Sequence, residues 1–173
     1  MAKHIEEYGS NGLARVYDNA QWYLIDKDSN QVTEAYSYIE EWGEGYYKAE
    51  QGAKKNILRP DGSVVLDQWY NDVFKVQHSF FIFGNTIRKS KTNPKTRYIQ
   101  GVAHVSGIIV FPMIFERTQW CEDGKAIYAE IDEKPYILTL DGSIYDPAHS
   151  HLPLRKKINW PDLFEKFANW TLP

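Results

Sequence analysis

The sequence predicts an all-β protein. It is an array of about three and a half three-stranded β-meander repeats, stacked as a short solenoid or curved into a partial, propeller-like assembly, with a short C-terminal α-helix. Three observations predict it. Turn pairs recur as Asp28-Ser29, Asp61-Gly62, Ser106-Gly107 and Asp141-Gly142, at spacings of 33, 45 and 35. Independently, a Gly or Ser opens an apolar run at Gly12, Gly45, Ser79 and Gly124, at spacings of 33, 34 and 45. Two markers therefore keep a period near 34 residues, the mark of a repeat architecture. Finally, the chain holds 12 Tyr, 8 Phe and 6 Trp among its 173 residues, and aromatic side chains suit half-buried pleated surfaces.

The first unit sets the pattern. Residues 13–17 form a strand, and Asp18-Asn19-Ala20 turns, because Asn and Asp tolerate left-handed backbone. Residues 22–26 form the second strand, Asp28-Ser29-Asn30 turns again, and residues 31–38 continue as an irregular third strand. Asp-Gly at the second turn of two later units is a strong hairpin signal, since Gly supplies positive φ without steric cost. A third marker agrees: Tyr36, Tyr70 and Phe115 fall eight or nine residues after the first three turns. From the Gly/Ser marker to the turn takes 16, 16, 27 and 17 residues, so about 11 extra residues lie between Ser79 and Ser106 and lengthen one hairpin. The units span residues 12–44, 45–78, 79–123 and 124–152, inside an array covering 1–152. A unit of this size cannot hide its apolar face alone, so neighbours must share a core. The fourth loses the pattern after Tyr145.

Residues 153–173 change character. Pro161 suits a first helical turn, with Asn159 or Trp160 as cap. Trp160, Leu163, Phe164, Phe167 and Trp170 form one apolar stripe at helical spacing. A helical cap on the open end of the array is expected, with a partner-docking helix or a longer natural chain as alternatives.

The first unit, "GLARVYDNAQWYLIDKDSNQV" followed by "YSYIEEWGEG", resembles the bacterial WG-repeat (KWG-repeat) family, whose units run roughly GLARV, turn, WGFID, DG, V, aromatic. The resemblance covers about residues 8–146. The family's Trp-Gly positions carry Trp22-Tyr23, Lys55-Asn56, Gln100-Gly101 and Pro135-Tyr136, so the array is a divergent one. The resemblance implies a bacterial source and a repetitive β-architecture. It implies no shared activity, catalytic residue or cofactor.

The candidate chemistry is thin. The 20 basic and 23 acidic residues give a net charge of −3, so no global field calls for nucleic acid or membrane. No apolar stretch predicts a signal peptide or a membrane-spanning helix, and a cytoplasmic location is expected. Cys121 is the only cysteine, so no internal disulfide forms, and with no motif around it packing explains it better than nucleophilic chemistry. Asp26, Asp28 and Asn30 begin like a calcium loop, but Gln31 and Ser37 stand where Gly and a bidentate Glu belong, so a hairpin turn is the better account. His149 and His151, with Asp146, are too few for a metal site; His4, His78 and His104 are scattered singly. No catalytic residue, metal or cofactor is expected. The insertion carries Arg88, Lys89, Lys91, Lys95 and Arg97 without an acid. That set could touch an anionic partner, although a solvated hairpin tip that deters edge pairing accounts for it more simply.

The functional expectation is a non-catalytic interaction module that binds a protein or other macromolecule through an aromatic-rich repeat surface. A protein partner is expected rather than nucleic acid, for which aromatics should interleave with the charges. The alternatives are a carboxylate-based hydrolase or glycan-binding protein, and a small acidic antidote.

Overall fold

The structure, a computed structural model, describes residues 3–88 and 95–147. It is nearly all β, as expected. The predicted C-terminal helix, His149, His151, Lys89 and Lys91 lie outside the described residues. The chain divides into two compact units. One holds Met1–Val76 with Val105–Gly107; the other holds Gln77–His104 and the chain from Ile108 on.

The first unit contains two small antiparallel sheets. Strands β1 (His4–Ile5), β2 (Ala14–Asp18) and β3 (Gln21–Ile25) form sheet 1, in that order. Strands β4 (Tyr38–Gly43), β5 (Tyr46–Gln51) and β6 (Lys54–Leu58) form sheet 2. A two-residue strand β7 (Asp72–Val73) follows. The sheets share one interior: Leu24 from sheet 1 and Leu13, just before β2, pack with Ile39, Tyr47, Ala49 and Leu58 from sheet 2, and with Tyr36 from the link between them. Leu24 and Leu58 are fully buried, each removal from water stabilising by about 1.5–3 kcal/mol. Asn11 adds a polar tie. Its amide lies 2.9 Å from the Tyr47 hydroxyl and donates to the Pro60 carbonyl at 3.0 Å.

The second unit repeats the plan. Sheet 3 is built on β8 (Phe80–Arg88), β9 (Thr96–His104) and β10 (Ile109–Phe115). Sheet 4 runs β11 (Arg117–Trp120), β12 (Ala126–Ile131), β13 (Lys134–Thr139) and β14 (Ile144–Tyr145). Ile82, Val102, Phe111 and Phe115 from sheet 3 pack against Ile127, Ala129, Tyr136 and Leu138 from sheet 4 in one cluster. Within each unit, then, two sheets bury a common interior. The insertion does lengthen one hairpin: β8 and β9 each run nine residues, against five or six in β2, β3, β5 and β6.

Both repeat markers have a backbone cause. Gly12, Gly45, Ser79 and Gly124 all have positive φ, at 79°, 79°, 68° and 64°. They end the turns that lead into β2, β5, β8 and β12. Ser29, Gly62, Gly107 and Gly142 also have positive φ, at 65°, 86°, 98° and 84°. In three of these turns the positive-φ residue donates back to the first residue: Ser29 to Asp26, Gly62 to Arg59 and Gly142 to Thr139. A left-handed residue is what a tight turn needs to reverse the strand in register.

The third marker is a pairing site. Trp22 and Tyr36 exchange backbone hydrogen bonds at 2.8 and 2.7 Å, Lys55 and Tyr70 at 2.6 and 3.0 Å, and Phe115 pairs in register with Gln100. The segment expected as one irregular third strand is divided. Gln31 and Tyr36 bridge to β3, while Tyr38 already begins β4 of the next sheet. Sheets 1, 2 and 4 therefore start with a strand upstream of their Gly marker.

The residue five positions before each second turn is not the same in every sheet. At Gly101 an added Cβ would stand 2.6 Å from the Phe111 carbonyl oxygen. The same position in sheet 2 is Asn56, fully buried. Its amide donates to the carbonyls of Leu66 (2.7 Å) and Gln68 (3.1 Å), and its oxygen accepts from the N–H groups of Ile57 (2.8 Å) and Leu66 (3.2 Å). In sheet 1 the matching N–H, that of Leu24, donates to Thr33 Oγ1 at 3.0 Å. Buried backbone donors must be satisfied, and side chains supply the acceptors here by two different routes.

Candidate interaction surface

The insertion's basic residues divide in the structure. Arg88 is exposed at the end of β8, and Lys95 is exposed just before β9. Arg97 is built into the second unit: its Nη1 bonds Glu116 Oε1, which follows β10, and reaches Asp132 Oδ1 at 3.1 Å in the β12–β13 turn. It links sheets 3 and 4, as does Thr118, whose hydroxyl donates to Gln100 Oε1 at 3.0 Å.

The aromatic expectation has a concrete counterpart in the first unit. Tyr17 and Trp22 are cross-strand partners on β2 and β3, with ring centroids 5.1 Å apart. Trp22 meets Tyr38 of sheet 2 edge-on at 5.9 Å and 82°. Tyr38 is 40% exposed, while Tyr17 and Trp22 are half-buried. Two cations cover this row. The Arg15 guanidinium lies over the Trp22 ring at 5.6 Å, bonds Glu6 at 2.6 Å and donates to the Ile39 carbonyl at 2.9 Å. The Lys48 ammonium lies over the Tyr38 ring at 5.8 Å and pairs with Glu40 at 2.6 Å and Glu50 at 3.1 Å. A cation over an aromatic face is attracted by the ring quadrupole.

Arg15 and Lys48 occupy one repeat position, three residues after Gly12 and Gly45; sheets 3 and 4 place the buried Ile82 and Ile127 there. The residues "GLAR" and "GYYK" held that signal, but nothing in the sequence indicated which rings the cations would cover. The electrostatics follow from the pairing. The Lys48 ammonium and the Trp42 indole hold the Glu40 carboxyl below its ordinary value, against a partial desolvation that raises it. Burial pulls Lys48 down, but its hydrogen bonds to Glu40 and Glu50 outweigh this and leave it raised. Glu40 and Glu50 thus lie close together beside partly exposed aromatics, held on one ammonium.

The calcium-like stretch is a turn. Asp26 Oδ1 accepts from the backbone N–H groups of Asp28 (2.9 Å) and Asn30 (2.8 Å), and Oδ2 accepts from the Asn30 amide at 3.0 Å. The Asn30 side chain contributes most to lowering the Asp26 pKa. Asp61 does the same for Ser63, and Asp141 for Ser143. Among the described residues, no group of three or more His, Cys, Asp or Glu is placed to hold a metal ion. Cys121 is half-buried in the turn before β12, where its carbonyl accepts from Gly124 N–H at 2.9 Å.

No protein-family model matches the chain, and no curated protein matches it. Among solved structures, it is similar to the crystal structure of the tricorn protease, with 10% sequence identity and a TM-score of 0.41 over 91% of this chain. The chain spans 24% of the length of that one.

Proposed function

We propose that this chain is a divergent WG-repeat array of the bacterial cytoplasm. In this reading it acts as a non-catalytic interaction module and binds a protein partner through the aromatic surface of its first unit. The supporting observation is the row Tyr17, Trp22 and Tyr38. Its rings are partly exposed and its flanking charges, Arg15 with Glu6 and Lys48 with Glu40 and Glu50, are paired within the chain. Rigid aromatic anchors set among neutralised charges suit a protein interface, where Tyr and Trp contribute most of the binding energy at low entropic cost. Among the described residues, no helix is long and apolar enough to cross a membrane, which is compatible with that location.

The alternative of a carboxylate-based glycan hydrolase needs one carboxyl to carry a proton at working pH. The Lys48 ammonium bonds both Glu40, at 2.6 Å, and Glu50, at 3.1 Å, an arrangement that suits a structural ion pair rather than an acid and a nucleophile facing a sugar. The test is affinity capture from the source cell with the full chain, beside the Tyr38→Ser and Tyr17→Ser variants. A partner held by the wild type and weakened at least about tenfold by Tyr38→Ser is expected. Equal capture by all three proteins, or release of sugars from a polysaccharide panel, would refute the reading.

A further inference from the structure

In sheets 1 and 2 the strand after the central one recruits a further segment through one backbone N–H. Trp22 N–H donates to the Tyr36 carbonyl at 2.8 Å, and Lys55 N–H to the Tyr70 carbonyl at 2.6 Å. In sheet 3 the same position, Gln100, stands in register with Phe115. In sheet 4 that position is Pro135, which has no N–H to donate.

The geometry of the hairpin shows where this missing donor would point. Ile131 and Lys134 close the two-residue β12–β13 turn, so Glu130 and Pro135 form the next pair. In a two-residue hairpin the closing pair exchanges hydrogen bonds and the next pair directs its N–H and C=O groups outward. The nitrogen of Pro135 therefore faces away from β12, towards the rim of the sheet, and the β12–β13 ladder is intact around it. Among the described residues, the short β14 follows on that side, pairing Ile144 with Leu138 and Tyr145 with Ile137. The aromatic that pairs at this point in the other sheets is also missing: Ser150 stands at the repeat position of Tyr70. Lys134 adds to this, exposed at the same rim with its ammonium over the Tyr136 ring at 5.6 Å. Proline with its nitrogen outward, and lysine, are the two residues that blunt a sheet edge.

We infer that Pro135 terminates the array: it closes the rim of sheet 4 along residues 134–136 to a strand from a second copy of this chain. The test restores the donor in the full-length protein with Pro135→Lys and Pro135→Gln, the residues found at positions 55 and 100. Circular dichroism first establishes that the variants fold, and the second stands in should the first not do so. Hydrogen exchange at the amide of residue 135 is then followed from dilute to concentrated protein, together with mass by light scattering. Exchange slowed at least about tenfold on concentration, with a rise in mass that the wild type lacks, is the expected result. An amide that exchanges fast at every concentration would overturn the inference, because restoring the donor would then recruit nothing. So would an amide slow at every concentration with unchanged mass, because the pairing strand would then come from the same chain.

Discussion

Gly101 is the most demanding backbone position in sheet 3. A methyl group there would lie 2.6 Å from the Phe111 carbonyl oxygen, 2.9 Å from the Phe83 ring and 2.9 Å from the Pro112 carbonyl carbon. Ordinary contacts of this kind are about 3.3–3.6 Å, and two of the three obstacles are backbone atoms of β10, which no rotamer change can move. Gly101→Ala must therefore push β10 away from β9 by roughly 0.7–1 Å. That loosens Phe111 and Phe115, both fully buried. Overpacking of this kind costs about 2–3 kcal/mol, or a fall in Tm of about 5–10 °C for a chain of this size. Gly52→Ala is the matched control: its φ is +62° with nothing within 4 Å of the added Cβ, so only left-handed strain of about 1 kcal/mol applies. Urea and thermal unfolding of both variants measure the difference. Should Gly101→Ala prove no more destabilising than Gly52→Ala, close approach of β10 is not what requires glycine there.

Asn56→Ala removes four hydrogen bonds from a fully buried site and leaves backbone groups of Ile57, Leu66 and Gln68 without that partner. A loss of about 2–4 kcal/mol in urea unfolding is expected, and a loss under about 1 kcal/mol would mean that the backbone re-pairs without the amide. The phenols of Tyr36, Tyr47 and Tyr70 are all raised above 10.0, in each case chiefly by burial. Burial disfavours the phenolate, so their contribution to stability is whole below pH 10 and is lost as pH rises towards the raised values. Alkaline unfolding followed by tyrosinate absorbance should therefore show these phenols ionising only with the unfolding transition above pH 10. Their ionisation before loss of β-structure would refute the burial argument.

Much of the fold was legible because the repeat is written in local backbone chemistry. Positive φ at Gly12, Gly45 and Gly124, and at Gly62, Gly107 and Gly142, is a demand that one residue type meets at low cost, so the turns show in the sequence. Ser79 and Ser29 hold the same conformation without glycine, and there only the spacing betrayed the turn. The candidate surface was less legible. The sequence showed many aromatics and a basic insertion. It did not show that Arg97 would engage Glu116 and Asp132, residues 19 and 35 positions away, or that Trp22 would meet Tyr38 under two cations. Those contacts depend on how one sheet is laid on the next.

By itself, the sequence determined the all-β class, the period, the turn positions, the lengthened third hairpin and the recurrence of an aromatic at Tyr36, Tyr70 and Phe115. Each of these is set by a few adjacent residues or by a constant spacing. Only the tertiary structure decided that the segment after Gln31 serves two sheets, that sheets bury a common interior in pairs within each unit, and that Asn56 and Thr33 satisfy backbone donors in place of a regular repeat. The physical reason is that burial and hydrogen-bond satisfaction are settled between strands brought together from distant parts of the chain. A spacing rule records where a chain turns, but not what the returning strand will meet.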